Sequence, residues 1–130
     1  MRVYIWGGVW YTYGTESFTE AFMDRQAALG IIGDNYNARG ESFLFYLHER
    51  DLFSREKFDE LCESIEALCG GQRDTEVLWM LTRIESAVLK ELIYHFNEED
   101  SLQIEGVPWD YLQCLERLDG ALHRYYYSGK

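Results

Sequence analysis

Along residues 75–96 the apolar positions recur at helical spacing. Val77, Leu78, Leu81, Ile84, Val88, Leu92 and Phe96 form one stripe, and Trp79, Met80, Leu89 and Ile93 widen it. A period near 3.6 predicts a helix over Thr75–Phe96 capped by Asp74, and the breadth of its apolar face predicts a central, core-forming element. The same rule predicts a helix over Ser54–Cys69. There Phe58, Leu61, Cys62, Ile65, Leu68 and Cys69 face one way, Ser54 is the N-cap and Gly70-Gly71 ends the run. Upstream, Phe18, Ala21, Phe22 and Leu29 predict a helix over Glu16–Leu29, stopped by Gly30 and Gly33. Asp34–Gly40 is polar and reads as a loop, and Phe43, Leu44, Tyr46 and Leu47 predict a short helix over Ser42–Arg50. After an acidic connector at Asn97–Val107, Pro108 suits the first turn of a last helix through Leu112, Leu115, Leu118, Leu122 and Tyr126.

The first thirteen residues follow another pattern. Val3, Tyr4, Ile5 and Trp6 precede Gly7-Gly8, and Val9, Trp10 and Tyr11 follow, which predicts a short β-hairpin. The expected fold is therefore mainly α: a four- to five-helix bundle with a short N-terminal β-hairpin, in one domain spanning residues 1–130.

Charge changes the picture more than length or composition does. Twenty-three Asp and Glu against 12 Lys and Arg leave a formal net charge of −11, which repels nucleic acid and anionic membrane and attracts a basic macromolecule. The charge is also unevenly spread. Between Glu91 and Glu116 lie Glu91, Glu98, Glu99, Asp100, Glu105, Asp110 and Glu116, with no Lys or Arg. Surfaces ordinarily intersperse the two signs, so this stretch reads as a docking surface for a basic partner, with Glu91, Glu98, Glu99, Asp100, Glu105 and Asp110 as its partner-binding residues. A second acidic stripe, Glu56, Glu60 and Glu63 with Asp59 and Glu66 beside it, reads as the ordinary solvent face of the Ser54–Cys69 helix.

No catalytic template fits. The chain lacks Gly-x-Ser-x-Gly, Gly-x-x-x-x-Gly-Lys-Ser/Thr, Gly-x-Gly-x-x-Gly and His-Glu-x-x-His, and the expectation is a binding protein rather than an enzyme. The three cysteines make no disulfide framework. Cys62 and Cys69 lie seven residues apart on one helix, about 10.5 Å along its axis and beyond the reach of a bridge. They and Cys114 read as reduced core thiols. His95 has no second His or Cys at a ligand spacing, so no metal site and no cofactor are expected, and it reads as a helix C-terminal histidine interacting with the last carbonyls. No apolar run reaches the length of a membrane span and the N-terminus has no signal-peptide pattern, so the expected location is cytoplasmic.

The aromatic start running into Ser17-Phe18-Thr19-Glu20-Ala21-Phe22, and Tyr94-His95-Phe96-Asn97-Glu98-Glu99-Asp100 closing a long helix, resemble the layout of immunity proteins of bacterial polymorphic-toxin and contact-dependent growth inhibition systems. The resemblance implies a protein that binds a cognate toxin, often a basic nuclease, and blocks its active site. It carries no functional residue over position by position. Two alternatives share the acidic surface or the fold: a nucleic-acid mimic that presents carboxylates in place of phosphates to a host enzyme, and an intracellular adaptor without inhibitory action.

Overall fold

The computed structural model describes residues 23–97, 99 and 103–128. Among them are five helices: α1 (Arg25–Tyr36), α2 (Phe43–Glu49), α3 (Arg55–Leu68), α4 (Thr75–Phe96) and α5 (Tyr111–Ser128). The described part is thus mainly helical. The predicted hairpin lies outside the described residues, as do positions 16–22 of the first predicted helix.

Side-chain caps fix four of the five helix starts, that of α1 through Asp24. Ser42 Oγ accepts from the Phe45 amide, Ser54 Oγ from the Lys57 amide, and Asp74 Oδ1 from the amides of Glu76 and Val77. Each satisfies donors that the first turn would otherwise leave unpaired. α3 stops at Leu68, and Gly70 behind it takes a positive φ of 88°, the left-handed conformation that ends helices.

α1 departs from the sequence expectation. It starts after Asp24, whose carboxylate accepts from the Ala27 amide, and runs through Gly30 and Gly33 to Tyr36. A Cβ at either glycine would meet nothing within 4 Å, so the glycines are not required by close packing. Ala28 and Ile32 are buried on one side of α1, and this tertiary burial outweighs the roughly 1 kcal/mol per glycine by which the local sequence disfavours a helix. Asn35, expected in a loop, is buried. Its amide donates to the Ile31 carbonyl and its carbonyl oxygen accepts from the Leu44 amide at 3.0 Å, which pins the start of α2 to the end of α1. α5 begins at Tyr111, one turn later than Pro108.

α1 packs on α3 and α4, and α5 packs on the same two helices; the backbones of α3 and α4 do not approach each other closely. The four form a ring in the order α1, α3, α5, α4, with α2 laid across α1, α3 and α4. α4 and α5 run antiparallel. The Phe96 and Tyr111 rings meet at 4.8 Å at one end, and the Asp74 amide donates to the Tyr125 hydroxyl at 2.7 Å at the other.

Inside the ring, Phe43, Phe53 and Phe58 pack edge-on or tilted at 5.0–5.6 Å, among Leu47, Leu61, Ile65, Leu81, Ile84 and Leu118. Cys62 and Cys114 belong to this core, all three thiols are free, and burial pushes the pKa of each up, so they stay protonated and inert.

Candidate partner-binding face on α4 and α5

The segment joining α4 to α5 holds most of the acidic stretch, and two contacts anchor it. His95 Nδ1 accepts a hydrogen bond from the Ile104 amide at 3.0 Å and draws Ile104 into the core. Its partner is thus a returning loop amide, where the sequence pointed to the last carbonyls of the helix. One residue on, the Glu105 amide donates to the Asp51 carbonyl at 2.7 Å and the Glu105 carbonyl accepts from the Phe53 amide at 2.8 Å. Gly106 permits the tight exit. Its φ is +81°, and a Cβ there would lie 3.1 Å from the Phe53 carbonyl oxygen.

The predicted site residues divide. Glu91 is only 16% exposed, and its Oε2 is bonded to His48 Nδ1 on α2 at 2.9 Å. That carboxylate is the leading cause of the raised pKa of His48. Asp110, 17% exposed, pairs with Arg55 at the start of α3 at 3.3 Å. Both are engaged within the molecule. Glu99 and Glu105 are exposed, with the Glu99 amide donating to Asn97 Oδ1 at 3.0 Å. Glu98 and Asp100 lie outside the described residues. Glu91, Asp110 and the exposed pair therefore do not form one array of free carboxylates.

The second acidic stripe also divides. Glu56 is exposed and Glu60 lies 3.6 Å from Lys57, as a solvent face would have them. Asp59 and Glu66 point at α5 instead: Arg117 reaches Asp59 at 2.9 Å and Glu66 at 3.4 Å, and Arg124 reaches Glu66 at 3.4 Å.

Sequence reasoning missed an apolar face. Of the broad stripe on α4, Val77, Leu81, Ile84, Val88 and Leu92 are buried, while Trp79, Leu89, Ile93 and Phe96 are exposed, Ile93 to 65%. Across the seam, Leu112 is 61% exposed and Trp109, just before α5, 89%. Leu89, Ile93, Phe96, Tyr111 and Leu115 line an open groove of about 450 Å³ between the two helices. The signal was present in the sequence: the α4 stripe is wider than one side of a bundle can cover.

One turn from Leu89 on α4 is Glu85, and one turn from Leu115 on α5 is Asp119. The two carboxyls meet across the seam, and partial burial together with the neighbouring Asp119 pushes Glu85 up to about 7. Among the described residues no group of three or more His, Cys, Asp or Glu side chains could hold a metal ion, and no helix is long and apolar enough to cross a membrane. Compared with protein-family models, with curated proteins and with solved structures, the chain finds no match.

Proposed function

We propose that this protein binds a basic bacterial toxin and neutralises it by covering its active site, in the manner of an immunity protein. The observation that carries the reading is the exposed apolar face of α4 and α5, with Ile93, Phe96, Trp109 and Leu112 open to solvent next to a stretch that has no positive charge from Glu91 to Glu116. Exposed aromatic and aliphatic anchors that can be desolvated on binding carry most of the affinity in protein interfaces. Surrounding charge mainly sets the association rate, which opposite charge raises toward about 10⁸ M⁻¹s⁻¹ at low salt. In this interface Glu99 and Glu105 steer, and the apolar side chains hold.

The nucleic-acid-mimic alternative fits less well. Such a mimic needs an array of free carboxylates, whereas Glu91, Asp110, Asp59 and Glu66 are each paired within the molecule.

The test is to capture the partner with the tagged full-length chain, identify it by mass spectrometry, and titrate this protein into an assay of the partner's activity. Stoichiometric inhibition, with association slowing as salt rises, is the expected result. A captured partner whose activity is unchanged at saturation overturns the proposal.

A further inference from the structure

The ion pairs that join one helix to another share a rule: Arg117 with Asp59 and Glu66, Arg124 with Glu66, and His48 with Glu91 each set a positive group against a carboxylate. Glu85 and Asp119 break it. They set carboxyl against carboxyl across the α4–α5 seam. Two like-charged groups in contact are unfavourable unless a proton or a cation lies between them. Helical spacing places this pair at the end of the open apolar groove, with Glu85 one turn from Leu89 and Asp119 one turn from Leu115.

The groove walls carry apolar side chains at the spacing of a helix seat. Leu89, Ile93 and Phe96 are spaced i, i+4, i+7 along one wall, and Tyr111 and Leu115 form the other. From Phe96 to Glu85 is eleven residues of α4, about 16 Å or three turns. A helix laid in such a groove presents apolar side chains at the same i, i+3, i+4, i+7 intervals.

We propose that the α4–α5 groove receives an amphipathic helix of the basic partner, with apolar side chains against Leu89, Ile93 and Phe96 and a Lys or Arg one turn beyond them seated between Glu85 and Asp119. The partner's cation supplies the positive charge that the two carboxyls lack within the molecule, so an arrangement that is unfavourable in the free protein becomes a favourable contact in the complex. A second copy of this chain is the wrong occupant. It would bring four carboxyls together, between two chains that each carry a net charge of −11. The inference rests on the reading that the protein binds a basic protein, and it stands whether or not that protein is a toxin.

The probe is a synthetic amphipathic helix with three leucines on one face and a lysine one turn past the last of them, titrated into the ¹⁵N-labelled full-length chain. The same peptide with glutamate in place of that lysine is the comparison. The expected result is binding of the lysine peptide with amide shifts concentrated in residues 85–96 and 111–119, and binding of the glutamate peptide weaker by about tenfold or more. Two variants separate seating from general attraction. Ile93→Asp adds a negative charge and leaves the core alone, so attraction at a distance would tighten binding, whereas seating in the groove requires its loss. Glu85→Gln with Asp119→Asn should weaken binding about tenfold, while Glu56→Gln with Glu76→Gln, which removes at least as much negative charge at exposed sites elsewhere, should leave it within about twofold. Shifts on another face, undiminished binding to Ile93→Asp, or equal effects of the two double variants would overturn the proposal. So would a dimer in sedimentation that Ile93→Asp dissolves, or amide-to-side-chain NOEs placing residues 1–22 on Ile93, because each names another occupant. If the peptide seats here and the captured partner's activity is nevertheless unaffected, this inference stands and the toxin reading falls.

Discussion

α3 and α4 look alike as sequences and differ as surfaces. Both are amphipathic, begin at a side-chain cap and carry a regular apolar stripe. α3 spends its stripe on the core: Phe58, Leu61, Cys62, Ile65 and Leu68 are all buried, and its Asp59 and Glu66 are closed off by Arg117 of α5. α4 is half again as long, yet it buries only Val77, Leu81, Ile84, Val88 and Leu92 and leaves Trp79, Leu89, Ile93 and Phe96 exposed. The lesson is that a wide apolar stripe measures how much surface a helix needs covered, and not that its own chain covers it. On α4 the excess is what a partner can use.

Truncation experiments break this comparison most sharply. Leu61→Ala and Ile65→Ala on α3, and Leu81→Ala and Leu92→Ala on the buried side of α4, should each lose about 2–5 kcal/mol in a urea melt. Ile93→Ala and Leu112→Ala should stay within about 0.5 kcal/mol, because little is buried at either. Comparable losses at Ile93 and Leu81 would show that the outer face is covered within the molecule.

A smaller effect is expected at the α3–α5 seam. Arg117→Ala leaves Asp59 and Glu66 without their main partner, and the partly buried setting sets the loss at about 1–2 kcal/mol. Arg83→Ala, whose guanidinium lies over the exposed Trp79 ring on the outer face of α4, should change the same melt by less than about 0.5 kcal/mol.

The opposite seam, α4–α5, should announce itself in pH dependence. A carboxyl whose pKa is raised on folding holds its proton more tightly in the folded state. The stability associated with Glu85 is therefore present below its ordinary value of 4.5 and is lost as pH rises from there through about 7. Calorimetry should give a lower Tm at pH 8 than at pH 6, and Glu85→Gln should flatten that slope. A slope unchanged in the variant would mean that Glu85 is not the group that titrates there.

The smallest effect belongs to His48 and Glu91. Glu91 favours the imidazolium and raises His48 above its ordinary 6.5, so this pair contributes below 6.5 and fades as pH climbs through the raised value. The imidazole is largely exposed, so His48→Gln should trim only a small part of the Tm difference between pH 6 and pH 8. An NMR titration of the imidazole should show its midpoint above 6.5 in the wild type and lower in Glu91→Gln.

What the sequence determined by itself was local. Ser54, Asp74 and the period of the apolar positions placed α3 and α4 to within a residue of where they lie, because caps and amphipathic spacing act within a turn or two. The excess of negative charge between Glu91 and Glu116 was equally legible. Only the tertiary structure decided which of those groups are free. His48 comes to Glu91 from 43 residues away and Arg55 to Asp110 from 55 away, and nothing near either carboxylate in the chain announces its partner. Tertiary burial of Ala28 and Ile32 likewise carried α1 through two glycines that the local pattern read as a stop. The open side of α4 follows from the same cause. Periodicity says that a side chain shares a face with its neighbours three and four residues on, but whether that face meets another helix or water depends on how the ring of α1, α3, α5 and α4 closes.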